Sequence, residues 1–284
     1  MSEDAFRNLA GYIDVIYHCA ADVRHYAADE AEFLERNVGG TRTVIELARY
    51  SNAVLHHMST ASIGGEYLKG QPDMTAVFSE QDFYIGQNWE DNIYLKSKFL
   101  AEAEVYRAVE EGLQARVYRL GRIINRSADG VFQRNPQSNA AFLLMRAVRK
   151  LGCIPVSMQD IPVDLTPVDW CARAVLALRR MKRTACHLLN SSPPAMIQVA
   201  QILVPELSVI PDGQFDLVLA DRMNETNREI LAPLLDFWNR MKRSKSKIRV
   251  VCTETQRELA DAGFTERIPE YEKLLIGLTA NFDD

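Results

Sequence analysis

The chain has 284 residues, of which 47% are hydrophobic and 25% charged, a composition typical of a globular protein. At roughly 150 residues per domain, this length allows one large domain or two modest ones. The 38 acidic and 33 basic residues give a formal net charge of −5, which argues against a broad basic surface for nucleic acid. No apolar run approaches the ~20 residues of a membrane span. We therefore expect neither nucleic acid nor a membrane as a partner.

The cysteines indicate a reducing compartment. They are five in number, scattered, and form no C-x-x-C pair, which is typical of free cytosolic thiols and gives no zinc site. The first residues, Met1 to Asp4, are acidic and lack the basic-then-apolar layout of a signal peptide. The sequence therefore predicts a cytoplasmic protein without a metal.

The first half of the chain alternates short apolar runs with longer amphipathic runs. The predicted elements are a strand over 13–18, a helix over about 31–50, a strand over 54–58, a loop over about 64–88, a helix over about 91–112 with Asp91 as its N-cap, and a strand over 116–120. This rhythm indicates βαβ units around a parallel sheet. The predicted fold class is α/β, with helices flanking a parallel sheet.

The second half continues with helices and ends in a different pattern. A helix is predicted over 139–151, another from Thr166 to about Arg180 with Pro167 at its first position, and a strand over 186–190. The proline-rich stretch 191–194 is the predicted seam, and the remainder is mostly helical. We therefore predict a larger part over 1–190 and a smaller, mostly helical C-terminal lobe over 191–284.

Tyr94 and Lys98 carry the sharpest chemical signal. Residues four apart share one face of a helix, so the phenol and the ammonium point the same way. A nearby ammonium is expected to lower the tyrosine pKa from about 10 and to make Tyr94 a usable proton donor. The spacing alone is weak evidence, because a solvated helix face would show it equally well.

A hydroxyl at the end of the preceding strand adds to that signal. Ser59, Thr60 and Ser62 follow the strand that ends near His57, and ligands bind at the carboxyl ends of strands in open α/β sheets. Which hydroxyl faces the site depends on the register of the strand, and we favour Thr60.

His56 and His57 lack a third ligand at useful spacing, so core positions are favoured over a metal site.

In this arrangement the chain resembles an extended short-chain dehydrogenase/reductase, and within that superfamily the thioester reductase domains that terminate nonribosomal peptide synthetases. The segments that carry the resemblance are 16–24, 37–41, 58–60, 78–83, 86–102, 118–122, 129–133 and 164–169. The likeness covers about 13–190 well and the C-terminal lobe only faintly. It implies that 1–190 is a truncated NAD(P)-binding reductase core with a truncated Rossmann-like parallel sheet, and that 191–284 is a lobe that faces the substrate and the carrier.

The resemblance implies roles for particular residues. Thr60, Tyr94 and Lys98 would be the catalytic set. The cofactor-binding residues that it implies are Cys19, Ala20, Ala21, Tyr94, Lys98, Leu120, Gly121 and Ile123. The implied cofactor is NADPH, with NADH not excluded, and the implied partner is a 4′-phosphopantetheinyl carrier protein that bears a thioester.

The sequence departs from the family pattern at its front. It contains no G-x-G, whereas dinucleotide-binding folds cradle the pyrophosphate with a glycine-rich first turn. If the resemblance holds, the chain begins near the fourth strand, and we expect a truncated sheet. Three explanations stay open: the chain is a fragment, a partner or a second copy covers the edge of the sheet, or the protein no longer uses the cofactor.

Three functions follow from these observations. The first is NAD(P)H-dependent reductive release of carrier-bound acyl or peptidyl thioesters as aldehyde or alcohol. The second is an epimerase or dehydratase on nucleotide sugars, which the stretch 82–102 disfavours. The third is a non-redox module that binds a carrier protein, serves as a scaffold or releases product by cyclisation. The absent glycine turn favours the third function, and the Tyr94–Lys98 pair disfavours it.

Overall fold

The computed structural model describes residues 3–24, 29–71, 74–90, 92–243, 247–280 and 282. Its helices are α1 (Glu3–Ala10), α2 (Glu30–Leu34), α3 (Gly40–Ser51), α4 (Ile93–Glu110), α5 (Ala140–Leu151), α6 (Val168–Ala177), α7 (Met196–Leu203), α8 (Asp212–Arg222), α9 (Arg228–Arg243), α10 (Thr253–Asp261) and α11 (Tyr271–Thr279). Its strands are β1 (Val15–His18), β2 (Val54–Thr60), β3 (Thr75–Phe78), β4 (Ala115–Leu120), β5 (Ile123–Ile124), β6 (Cys153–Pro155), β7 (Thr166–Pro167), β8 (Ala185–Leu188), β9 (Ser208–Ile210) and β10 (Lys247–Val250).

The main sheet has four parallel strands in the order β1-β2-β4-β8. Helix α3 lies between β1 and β2 in the chain, and α4 lies between β2 and β4. Ile45 of α3 and Val105 of α4 pack into one buried cluster with Leu55 of β2 and Val117 of β4. Because parallel neighbours need a crossover, the alternation of strand and helix leads to this layered arrangement. The predicted α/β class is confirmed.

The chain divides into two compact units that are interleaved in sequence. The first unit comprises Met1–Leu120, Ala174–Leu188 and Ser246–Phe264, and the second comprises Gly121–Arg173, Leu189–Lys245 and Thr265–Asp284. The sequence predicted a single domain boundary after residue 190, because the proline-rich stretch 191–194 is the strongest local signal of a linker. Contacts group the chain differently, since strands β8 and β10 return to the first unit. The assignment of one part to cofactor and another to substrate stays a prediction.

The second unit is mostly helical. Phe142 of α5, Val199 of α7, Leu234 of α9 and Leu275 of α11 are fully buried members of one large apolar cluster. Two short parallel pairs, β5 with β7 and β6 with β9, complete this unit. Its core is therefore built by packing the apolar faces of helices on one another.

Two local predictions were wrong. The predicted loop 64–88 contains β3, which pairs in parallel with β10 from Thr75 opposite Lys247. A strand of four residues is too short to show a clear alternating pattern. Its partner, β10, lies far away in the sequence and gives no local signal either. The helix predicted from Thr166 begins at Val168, because the Thr166 backbone N–H donates to the carbonyl of Arg122 (3.0 Å) and so belongs to a strand.

Candidate functional site

The carboxyl end of β2 and the first turns of α4 form the candidate site in the first unit. Strand β2 runs two residues past its predicted end and finishes at Thr60, whose hydroxyl oxygen accepts the backbone N–H of Ser62 (3.2 Å). Helix α4 begins after Asn92, whose side-chain oxygen accepts the backbone N–H of Leu95 (3.1 Å). The predicted N-cap, Asp91, lies outside the described residues. These two ends set the positions of Thr60 and Tyr94.

Thr60 and Tyr94 contact each other through their hydroxyl groups. A hydrogen bond from Thr60 tends to lower the pKa of the Tyr94 phenol, but burial outweighs it and raises that pKa above its usual value. The sequence predicted a lowered pKa caused by Lys98, and this expectation was wrong because burial disfavours the phenolate. Tyr94 is therefore a protonated donor throughout the neutral range.

The Lys98 side chain is hydrogen-bonded to strand β2 and does not extend into solvent. Its Nζ donates to the backbone carbonyl of Met58 (2.7 Å), and the residue is only 5% exposed. Burial lowers the pKa of Lys98 to about 8, while the carboxylate of Glu102 and, less strongly, the Cys19 side chain favour the ammonium and oppose that change. Lys98 is thus a buried ammonium near neutral pH, one helical turn beyond Tyr94.

Ser59 and Thr60 contact different residues of α4. The Ser59 hydroxyl donates to Oε2 of the buried Glu102 (2.5 Å), whereas Thr60 contacts Tyr94. Of Ser59 and Thr60, it is Thr60 that contacts the phenol.

The segment 19–21 follows β1 and borders an open groove. Ala20 and Ala21 line this groove, which has a volume of about 520 Å³, and Cys19 is exposed. The other lining residues are His18, Asp22, Arg36, Gly40 and Val44. The volume lies in the range of small-molecule sites, and alanine side chains leave room for a ligand.

The remaining predicted cofactor residues fall at the end of β4 and just beyond it. Leu120 lies opposite Thr60 in the β2–β4 register. Gly121 and Ile123 belong to the second unit, where a Cβ added to Gly121 would lie 2.0 Å from Oδ2 of Asp164. This close approach to a buried carboxylate requires glycine at position 121. Their roles in binding a cofactor stay predictions.

Asn37 is a residue whose role the sequence did not reveal. It lies in the π-helical turn Glu35–Gly39, where its side-chain oxygen accepts the backbone N–H of Asp22 (2.7 Å). Its amide nitrogen donates to the Asp22 carbonyl (2.9 Å) and to the Ser97 hydroxyl (2.9 Å). Asn37 therefore ties the segment after β1 to α4. The available signal was a polar residue two positions before the glycine pair Gly39-Gly40.

The two histidines of β2 have different surroundings. His56 contacts the Tyr118 hydroxyl through Nδ1 (2.9 Å), and His57 is buried with neither ring nitrogen hydrogen-bonded to any residue that the structure describes. Burial lowers the pKa of His56 to about 4, and that of His57 well below its usual value, so both are neutral. Within the described residues, no group of three or more His, Cys, Asp or Glu side chains is arranged to hold a metal ion.

The hydrogen-bond donors Tyr94 and Lys98 fit the ribose end of a nicotinamide cofactor. An ammonium and a phenol on one helix face would hold ribose hydroxyls, and the groove beside Ala20 and Ala21 would accept another part of the molecule.

No helix of the described part of the chain is long and apolar enough to cross a bilayer.

Comparison with known proteins places this geometry in a family. The family model "Male sterility protein" (NAD_binding_4) matches residues 1–175. Glycine betaine reductase ATRR from Emericella nidulans is 31% identical over 202 residues, which are 68% of this chain and 15% of that protein. L-2-aminoadipate reductase from Saccharomyces cerevisiae is 29% identical over 190 residues, 62% of this chain and 13% of that protein. This chain thus matches only a small part of each.

Among solved structures, the thiolation-reductase di-domain from an archaeal non-ribosomal peptide synthetase superposes with a TM-score of 0.82 at 27% identity. The match covers 99% of this chain and 60% of that one. The reductase domain of the aureusimine biosynthetic cluster superposes with a TM-score of 0.78 at 27% identity, over 94% of this chain and 68% of that domain. The chain therefore belongs to the male sterility protein family of NAD-binding domains and is an extended short-chain dehydrogenase/reductase similar to the reductase domains of nonribosomal peptide synthetases.

Proposed function

We propose that the protein releases carrier-bound acyl or peptidyl thioesters by reduction, as aldehyde or alcohol, with NADPH or NADH as the reductant. The observation that carries the proposal is the hydrogen bond between Thr60 and Tyr94, with the buried ammonium of Lys98 one helical turn further along α4. The reductase relatives support the same class of reaction. The partner would be a 4′-phosphopantetheinyl carrier protein, and the two-domain relative that joins thiolation and reductase domains supports that choice.

Thr60 and Tyr94 would donate hydrogen bonds to the carbonyl oxygen of the thioester. Donors aimed at an oxygen that becomes negatively charged stabilise the transition state more than the ground state. When bound, the nicotinamide supplies the hydride that is added to the carbonyl carbon. The raised pKa of Tyr94 keeps its proton in place until the oxyanion develops.

Tyr94 would then pass its proton to that oxygen, which gives a hemithioacetal. Lys98, on the same face of α4, would stabilise the phenolate left behind and hold the ribose hydroxyls. Collapse of the hemithioacetal returns the proton to Tyr94, breaks the carbon–sulfur bond and releases an aldehyde and the carrier thiolate, which takes up one proton from solvent to become the thiol. Proton and charge therefore return to their starting places on the protein.

The test measures NADPH oxidation that depends on a carrier-bound thioester. We expect Tyr94→Phe to reduce the rate by about two to four orders of magnitude, because it removes the proton donor. Tyr106→Phe is the matched control, since Tyr106 lies on the same helix and accepts a hydrogen bond from Arg119 (3.3 Å) away from Thr60. Equal turnover by wild type and Tyr94→Phe would refute the assignment.

A second candidate is a non-redox module that binds a carrier protein, acts as a scaffold or releases product by cyclisation. The observation that favours it is the absence of any G-x-G from the sequence, since such a turn cradles the pyrophosphate in dinucleotide-binding folds. Titration of the chain with NADPH, followed by nicotinamide fluorescence, separates the two. Saturable binding supports the reductase, and no binding supports the second candidate.

A further inference from the structure

A buried ion pair lies one helical turn beyond Lys98. Arg119 of β4 contacts Oε1 of Glu102 in α4 through Nη2 (2.7 Å) and Nε (2.9 Å), and neither side chain is exposed. The Ser59 hydroxyl donates to the other carboxylate oxygen. Both oxygens of Glu102 are therefore held, one by β2 and one by β4.

Lys98 and Glu102 are anchored to consecutive residues of one strand. The ammonium of Lys98 donates to the carbonyl of Met58 (2.7 Å), and the carboxylate of Glu102 accepts from the hydroxyl of Ser59 (2.5 Å). Since residues four apart share a face of a helix, the two charges lie along the same line of α4. Taking charges out of water is costly unless opposite charges compensate them.

We propose that Glu102 is a positioning residue that holds Lys98 as an ammonium, and that Arg119 and Ser59 keep the Glu102 carboxylate in that place. This inference rests on the proposed function for its purpose, since a phenolate at Tyr94 needs a positive neighbour. The effect of Glu102 on the charge of Lys98 does not depend on whether the protein is a reductase. The cluster of Lys98, Glu102 and Arg119 carries one more positive than negative charge, which favours a negative charge developing beside it.

The other groups that act on Lys98 come from neighbouring strands. Cys19, which follows β1, favours the ammonium less strongly than Glu102 does. His18 of β1 and His57 of β2 also interact with Lys98, but burial lowers the pKa of His18 to about 4 and that of His57 well below its usual value. Both histidines are neutral, so Glu102 is the strongest source of negative charge acting on Lys98 in the described structure.

Arg119 is also held on its remaining sides, which makes the pair a fixed element. Its Nη1 lies 3.0 Å from Nε2 of His187 in β8, and its guanidinium lies 4.8 Å from the ring centre of Phe78 in β3. The backbone N–H of His187 in turn donates to the Thr255 hydroxyl (2.8 Å). Contacts from several elements therefore keep the carboxylate of Glu102 from turning away.

The experiment is an NMR titration of protein labelled with ¹³C at the lysine ε carbon, with no cofactor or substrate present. The Lys98 resonance is identified by its loss in Lys98→Met. In Glu102→Gln we expect its titration midpoint to fall by about one pH unit or more, a tenfold smaller ratio of ammonium to amine near neutral pH. The amide keeps the shape of the side chain and removes its charge.

Glu104→Gln is the matched control. Glu104 lies on the same helix but pairs at the surface with Arg42 (2.8 Å), and we expect no change in the Lys98 midpoint. Because Glu102→Gln leaves Arg119 buried and unpaired, the double variant Glu102→Gln/Arg119→Met provides a second test without an unpaired charge. We expect the midpoint to fall in both Glu102 variants.

An unchanged midpoint in either folded Glu102 variant would overturn the proposal, as would an equal fall in Glu104→Gln. Neither result depends on turnover. A protein that fails to reduce thioesters but shows the fall in midpoint would refute the proposed function and keep this inference. Reduction of thioesters by the wild type, together with an unchanged Lys98 midpoint in the Glu102 variants, would support the proposed function and overturn this inference.

Discussion

Replacing Lys98 by methionine is expected to abolish reduction and to stabilise the fold. The folded protein lowers the pKa of Lys98 from 10.5 to about 8, because the ammonium is buried at 5% exposure. In the unfolded chain the same group regains its usual pKa. The folded state therefore carries a cost for holding this ammonium, and methionine of similar length removes that cost.

The magnitude follows from proton linkage. Between pH 8 and 10.5 the unfolded chain binds more protons at this position than the folded protein does, so its contribution to stability rises with pH. The cost of the buried ammonium is about 3 kcal/mol near pH 7 and about 1 kcal/mol near pH 9.5. The stability advantage of Lys98→Met over wild type should accordingly shrink by about 2 kcal/mol across this range.

Urea unfolding of both proteins at the two pH values measures this difference. Other groups that titrate in the range are common to both proteins and cancel. Lys96→Met is the matched control, since Lys96 lies on the same helix with its ammonium at the surface beside Glu30 (2.6 Å). A Lys98→Met advantage that does not change with pH would refute the reasoning, as would a control that shows the same trend.

Three further predictions concern stability and are checked by chemical denaturation. Gly121→Ala should cost about 2 kcal/mol or more, because its Cβ would collide with the Asp164 carboxylate, while Gly213→Ala, with open space around it, should cost nothing. Asn37→Ala should cost about 2 kcal/mol, because the buried groups that it bonds lose their partner. Arg119→Met should cost about 3 kcal/mol or more, because it leaves a buried carboxylate unpaired, and neutralising that carboxylate as well should recover most of the loss. Costs below about 0.5 kcal/mol for any of these three would contradict the packing described.

The main sheet was predictable because each strand–helix–strand step has its own local pattern. The strand at 13–18, the helix at 31–50 and the strand at 54–58 are confirmed as β1, α2 with α3, and β2. The pairing of β3 with β10 was not predictable in this way. Four residues near Thr75 find their partner near Lys247, and such a contact depends on the tertiary fold rather than on neighbouring residues.

The same contrast holds for the candidate site. The helical spacing of Tyr94 and Lys98 placed both on one face, since it depends only on helix geometry. The direction of the Tyr94 pKa was wrong, because the effect of burial depends on everything packed around the phenol. The contact of Glu102 with Arg119 was not foreseen, since β4 resembled an ordinary buried strand and only the fold brings its arginine to α4.

Transfer of deuterium from NADPH labelled at C4 tests the central claim most directly. The chain is incubated with a carrier-bound thioester and each C4-deuterated form of NADPH, and the released product is analysed by mass spectrometry. The account predicts an aldehyde or alcohol that carries deuterium at the former thioester carbon with one of the two forms, and no labelled product from Tyr94→Phe. Release of an unlabelled acid or cyclised product by the wild type would contradict it.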